Sequence, residues 1–211
     1  MWPDTQNTEQ LLLSAQSGNR SAVNQLLDRH REAVRRLIDL RMDQMLKRRV
    51  DASDIVQEVM IEANRRLQKY LQDPVLPFHL WLRQMAKDRL IDAHRRHRGA
   101  ARRSLDREQP IAGNFTGESS LDLMAQLRDQ ELTPAAAATW HELQRRFEAA
   151  CLQLDSHDQE IVLMRHFEHL TNAETAIVLN LSPQAASMRY LRAMRRLREG
   201  INQIDSAGDP T

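Results

Sequence analysis

Cysteine occurs once in this 211-residue chain, at Cys151, so neither an intramolecular disulfide nor a cysteine cage for a metal is available. No strictly apolar run exceeds four residues, which leaves no membrane-spanning segment and no signal-peptide core. A reduced, cytoplasmic protein is expected. Glycine and proline are scarce, at six and seven, and residues 20–73, 78–98 and 135–182 contain neither. Glycine costs about 1 kcal/mol and proline about 3 kcal/mol inside a helix, so such stretches suit helices. No segment alternates with period two, and β-branched or aromatic residues rarely cluster. The expected fold class is all-α. Phosphate-cradling G-x-x-x-x-G-K-[ST] loops, G-x-S-x-G elbows and H-E-x-x-H helices are missing too, and the pairs His94/His97 and His166/His169 lie among arginines. The chain is therefore expected to carry no catalytic residue, no metal and no cofactor.

What is present is helical periodicity. Val23, Leu26, Leu27, His30, Val34, Leu37 and Ile38 recur at three- and four-residue steps, as do Val56, Val59, Met60, Ala63, Leu67, Tyr70 and Leu71. Leu82, Met85, Ala86 and Leu90 form a third stripe, and Leu143, Phe147, Ala150, Cys151 and Leu154 a fourth. Cys151 on that stripe reads as a small core hydrophobe. Between them, Pro110, Gly113, Asn114, Gly117, Ser119, Ser120 and Pro134 mark a linker, with room for a short helix at 121–131. Two small helical domains are expected, 8–103 and 140–203, joined by a linker at 104–139.

The net charge of +1 conceals strong segregation. Residues 83–103 hold eight cations against two acids, a net of +6, and residues 182–199 hold five arginines against Glu199, a net of +4. Residues 104–160 carry four arginines and eleven acids, a net of −7. Only Lys47, Lys69 and Lys87 are lysine, so 27 of the 30 cations are arginine, whose planar fork suits phosphates and guanine edges. Two basic helices flanking an acidic connector make nucleic acid the leading partner class.

The sharpest local pattern begins at Thr171. Thr171 and Glu174 form a T-x-x-E capping box, Asn180 can take the left-handed conformation of a tight turn, and Ser182 precedes Pro183 as an N-cap precedes an N1 proline. Ala176 suits a close helix–helix approach. Together they predict a helix-turn-helix whose second helix turns Tyr190, Met194, Leu197 and Ile201 inward. Gln184, Ser187 and Met188 then lie near base edges in a major groove, with Arg189, Arg192, Arg195, Arg196 and Arg198 on or near phosphates.

Two motifs stand out in the first half. Asp51, Asp54 and Glu58 are spaced i, i+3, i+7 and share one helix face, with Gln57 beside it. The stretch 77–96 joins aromatic residues to the first basic patch. Tyr70, Phe78 and Trp81 beside Arg83, Lys87, Arg95, Arg96 and Arg98 suit a surface that stacks single-stranded bases, with Trp81 itself read as packing rather than stacking.

On these residues the chain resembles the extracytoplasmic-function (ECF) sigma factors of bacterial RNA polymerase. Asp51–Met60 resembles the family's D-A-E-D-L-V-Q-E-V-F, and Phe78–Asp92 its F-R-A-W-L-Y-R-I-A-R-N-x-x-I-D. The helix-turn-helix is similar to the family's second conserved domain, and Ala22–His30 to the start of its first. The departures are Val23, Leu27 and His30 in place of aromatics, Asp88 in place of Asn, and Pro183-Gln184-Ala185 in place of V-G-T, so base preference does not carry over. The resemblance implies that Asp51, Asp54, Gln57 and Glu58 contact the clamp helices of the largest core-polymerase subunit. It implies that the 71–77 loop captures a flipped base of the promoter −10 element, with Arg83, Lys87, Arg95, Arg96 and Arg98 on the backbone, and that the second domain reads the −35 element. An anti-sigma protein is a candidate third partner. The residues alone also admit a stand-alone helix-turn-helix regulator, which leaves the 51–58 face and the 78–98 block without a purpose.

Overall fold

The computed structural model describes residues 2–101, 147 and 149–207, with the backbone alone at 44, 98–101 and 202–207. The linker expected at 104–139, its short helix and the residues 140–146 lie outside the described residues. Every regular element among those described is helical. The chain divides into two compact units, Met1–Ile111 and Ala112–Thr211.

In the first unit, α1 (Thr5–Gln16), α2 (Arg20–Arg41), the single turn α3 (Gln44–Lys47), α4 (Ala52–Gln72) and α5 (Phe78–Ala101) follow in order. Short polar side chains start the first four. Asp4 accepts from the Asn7 N–H, Asn19 from Ser21 and Ala22, Asp43 from Leu46, and Asp51 from Ser53. The stretch 20–73, free of glycine and proline, is thus three helices, because Asp43 and Asp51 offer the backbone a cap that competes with helix continuation. Helix α5 starts where Pro74 and Pro77 forbid further helix before it.

The apolar stripes meet as the periodicity predicts. Leu26, Val34 and Ile38 of α2, Val59, Ala63 and Leu67 of α4, and Leu82, Ala86 and Leu90 of α5 form one core, against which α1 lays Leu11 and Leu12. Burying a leucine is worth roughly 1.5–3 kcal/mol, so this shared core dominates the unit's stability.

In the second unit, residues 149–153 are helical and lead through Asp155, the N-cap, into α6 (Ser156–Val162). Gln159 ties the two together, its side-chain amide donating to the Cys151 and Leu154 carbonyls, both at 3.0 Å. Cys151 is fully buried. Helix α6 widens into a π-helical turn at Leu163–Phe167, then α7 (Asn172–Leu179) and α8 (Pro183–Ala207) complete the unit. The inner line of α8 is Ala186, Ala193, Leu197 and Gly200, with Tyr190 and Met194 only half-buried beside it. Small residues make the close approach: a Cβ on Gly200 would stand 3.2 Å from the Ala150 Cβ.

Asn180 ends α7 at φ 52° and ψ 48°, and the Leu181 N–H reaches back to the Ala176 carbonyl at 2.9 Å, closing a Schellman-type wrap. Asn180→Ala is expected to destabilise the second unit by about 1 kcal/mol, whereas Asn180→Gly holds or raises its stability. Denaturant midpoints of the two variants check this; equal losses would mean that the left-handed turn is not the source of strain.

Candidate functional site

The first turns of α4 set out the acidic face. The Asp51 carboxylate caps the helix, accepting from the Ser53 N–H at 2.7 Å, and that hydrogen bond holds its pKa below the usual carboxylate range. Asp54 and Gln57 are exposed. Gln57 lines a groove of about 590 Å³ between α4 and α2, facing Asp28 and Arg31. Ile61, one turn beyond Gln57 and 61% exposed, lies in the same groove and escaped the sequence reading. Glu58 faces the other way round α4, toward α5, where Arg96 donates to it at 3.1 to 3.4 Å. A residue expected to meet polymerase and one expected to meet DNA are therefore paired with each other.

The aromatic residues pack chiefly on one another. Tyr70 stacks on Trp81 with centroids 4.6 Å apart, and Phe78 meets Trp81 at 5.5 Å and the His30 ring edge-on at 4.9 Å. Tyr70 and Phe78 are buried and Trp81 is half-buried. Their faces pack on one another and on the core, so they brace the 73–77 segment rather than offer an open stacking platform. The Tyr70 hydroxyl donates to the Leu76 carbonyl at 2.9 Å and pins that segment, whose Val75 is 79% exposed.

Arg83 also lies beneath the surface, 3% exposed. Lys87 is half-buried, Arg95 and Arg96 are exposed, and the Arg98 side chain lies outside the described residues. One acid gathers Arg89 of the basic patch with two cations that the sequence reading passed over, Arg65 and Arg66. Glu62 is buried, and its carboxylate pairs with Arg65 at 2.7 Å, with Arg66, and with Arg89 of α5 at 3.5 Å. Its separation from Arg89 in sequence concealed that cluster.

The second unit presents the helix-turn-helix as expected. Glu174 N–H donates to the Thr171 hydroxyl at 3.2 Å, and Thr171 N–H to the Glu174 carboxylate at 2.7 Å, the full capping box. The Ser182 hydroxyl accepts from the Ala185 N–H at 3.1 Å, and the Asn172 amide donates to the Pro183 carbonyl at 2.8 Å, fastening the start of α7 to the start of α8. Along α8, Gln184, Met188, Arg192 and Arg195 are exposed, and Ser187 and Arg189 are half-buried. Arg196 differs from the rest: it bridges Asp155 at 2.9 Å and the buried Asp158 at 2.6 Å, tying α8 to the start of α6. Tyr190 and His166 share a hydrogen bond of 2.8 Å, and burial lowers the His166 pKa.

Among the described residues, no group of three or more His, Cys, Asp or Glu could hold a metal ion, and no helix is long and apolar enough to cross a membrane.

Two family models match this chain in succession: sigma-70 region 2 over residues 26–100, and sigma-70 region 4 over residues 144–197. The first spans α2 to α5 with the acidic face, the second the helix-turn-helix. The ECF RNA polymerase sigma factor SigD of Mycobacterium tuberculosis is 26% identical over 199 residues, covering 94% of this chain and 84% of SigD. The chain belongs to the ECF sigma factors. SigD of Mycobacterium bovis matches over the same length and at the same identity. The solved structure of CnrH in complex with the cytosolic domain of CnrY shares the fold, with a TM-score of 0.53 and 22% identity over 96% of this chain and 99% of CnrH. As a sigma factor, the protein binds core RNA polymerase and directs promoter recognition and transcription initiation.

Proposed function

We propose a division of labour within this sigma factor. The first domain, 8–103, binds core polymerase through Asp51, Asp54, Gln57 and Glu58 on α4, facing the clamp helices of the largest subunit. Its α5 cations Lys87, Arg95 and Arg96 hold the −10 backbone, and the braced 71–77 segment receives the extruded base. Unstacking that base costs a few kcal/mol, which its binding offsets. Tyr70, Phe78 and Trp81 act by shaping that segment. The second domain, 140–203, reads the −35 element through α8, with Gln184, Ser187 and Met188 at base edges and Arg189, Arg192 and Arg195 at phosphates. Arg196 chiefly holds α8 in place. The acidic 104–139 linker is repelled by promoter DNA and lies along the positively charged RNA path of the polymerase. The chain itself does no bond chemistry and works in the cytoplasm, where polymerase acts. An anti-sigma protein that restrains both domains is the third partner; the structurally similar CnrH was solved bound to the cytosolic domain of CnrY.

The observation that carries this reading is the pairing, in one chain, of an exposed acidic helix start with a capped helix-turn-helix whose outer helix is cationic. A gel-shift with promoter DNA tests it. The chain with core polymerase is expected to shift the promoter specifically, and the chain alone is not. Tight, specific binding by the chain alone would instead favour a stand-alone regulator.

Arg192 supplies a finer test. It is exposed on α8, and its side chain bonds only loosely to the Met188 carbonyl, at 3.4 Å. Arg192→Ala is expected to lower −35-dependent initiation evenly across sequences and to reduce the salt slope by about 0.9, the loss of one phosphate contact. A changed base preference would place Arg192 at an edge instead.

A further inference from the structure

Two large apolar side chains stand on the outer face of α8, where the core has no use for them. Met188 is 54% and Leu191 57% exposed, while Ala186, Ala193 and Leu197 fill the opposite face. Their i, i+3 spacing places them side by side. Gln184 precedes them on the same line and Arg195 follows, with Arg192 and Arg198 exposed alongside. Over residues 182–199 only Glu199 is acidic, against five arginines. Such a rim repels a basic partner and draws a polyanion.

We propose that Met188 and Leu191 are specificity-determining residues that read thymine methyl groups in the upstream promoter element. This rests on the reading of α8 as the major-groove helix. In that groove the C5-methyl of thymine is the apolar mark that separates T·A from the other pairs, and exposed apolar side chains recognise it by contact. From Gln184 to Leu191 the helix rises about 10 Å, roughly the span of three base pairs. Gln184 has the amide that bonds adenine bidentately, and the arginines beside the apolar pair are placed for phosphates. The element read by this face therefore contains thymine at one or two positions, set by Met188 and Leu191 and not by a hydrogen bond.

Uracil in DNA keeps every hydrogen bond of thymine and lacks only the methyl, so it isolates the contact. Holoenzyme assembled from the full chain and core polymerase would be used to select open complexes from promoter pools randomised in the upstream element. One pool would be made with thymidine and one with deoxyuridine in its place. The wild type is expected to enrich thymine at one or two positions by about fourfold per methyl, the value of one buried carbon, and to lose that enrichment in the uracil pool. Leu191→Ala and Met188→Ala should each abolish the thymine-over-uracil preference at one position while the remaining base preferences persist. Both side chains are exposed, so the variants should melt with the wild type.

Equal enrichment in the two pools would overturn the proposal, as would a thymine preference that neither variant changes. A uniform loss of polymerase binding in Leu191→Ala, with the thymine preference intact, would overturn it in favour of a protein covering the pair. If no upstream base is enriched in either pool, the reading of α8 as the −35 helix itself fails, a different result from specific reading without methyl discrimination.

Discussion

Asp54→Lys combined with Glu58→Lys is expected to weaken binding to core polymerase by at least about tenfold, which corresponds to about 1.4 kcal/mol. Close charge pairs across protein interfaces show coupling of roughly 1.5–7 kcal/mol, and here two attractive contacts become repulsive. The fold tolerates the change. Asp54 is exposed in the first turn of α4, where an acid gains about 0.3–1 kcal/mol from the helix dipole. Glu58 and Arg96 are 40% and 56% exposed, and exposed pairs contribute about 0–1 kcal/mol. Asp51 is left alone because its carboxylate caps α4, so changing it would mix binding with helix stability. Titration of labelled chain into core polymerase, beside thermal melts, reads both quantities. Unchanged affinity in a cooperative variant would remove the acidic face from the interface.

The Glu58–Arg96 pair adds a second expectation to the same experiment. Arg96 is expected at the −10 backbone, yet in this structure it is held by Glu58. Polymerase that engages Glu58 would free the Arg96 guanidinium for a phosphate, which couples core binding to DNA binding through one weak, exposed pair. The size of such a pair limits this coupling to a few-fold, so it trims the affinity of the free chain for DNA without creating an on–off switch.

Which parts of this were legible in the sequence follows from the range of the interactions. The helix-turn-helix is written in neighbours: Thr171 caps with Glu174, Asn180 takes the turn, and Ser182 and Pro183 begin the next helix, all within fifteen residues. The three apolar stripes of the first unit are periodic and equally local, and they met in one core. The breaks at Asp43 and Asp51 carried a signal too, since both are N-cap residues; the acids from Asp51 read as a helix start, whereas the lack of glycine and proline masked the break at Asp43. Charge was harder to read. A count over residues 83–103 weighs Arg83, Arg89, Arg95 and Arg96 alike. In the fold, Arg83 is buried, Arg89 pairs with Glu62, Arg96 with Glu58, and Arg95 is exposed. Arg96–Glu58 and Arg196–Asp158 each join residues 38 apart, so no local window holds both partners. Whether the Tyr70 and Phe78 rings face solvent or another ring was hidden for the same reason: it depends on helices that only the fold brings together.

His30 gives the largest expected effect on stability. Periodicity put it on the apolar stripe of α2, at a position where the family has an aromatic residue, and the structure uses it as one. It is 1% exposed, meets Phe78 edge-on, and bonds through Nδ1 to the Leu26 carbonyl at 2.8 Å. Burial, aided by Arg29 and His79 nearby, lowers its pKa to about 4, against 6.5 in the unfolded chain. The folded state therefore holds the ring neutral while the unfolded state takes up a proton first. The stabilisation is complete above pH 6.5 and is lost as the pH falls toward 4, by about 3 kcal/mol in all. Asp4 and Asp155, whose pKa values are lowered from 3.8, release their contributions only at more acid pH, outside this window. His166, also lowered by burial, titrates in the second unit and is common to wild type and variant. The difference between wild type and His30→Phe thus isolates the one ring. Phenylalanine keeps the edge-on contact with Phe78 and cannot take a proton, so the variant's stability should fall less steeply from pH 6.5 to 4. The gap between the two curves should change by about 3 kcal/mol over that range. Denaturant titrations followed by tryptophan fluorescence, with Trp2 and Trp81 beside this cluster, would record it. Parallel curves would mean that His30 is protonated as readily in the fold as outside it, and that water reaches a ring the packing shows enclosed.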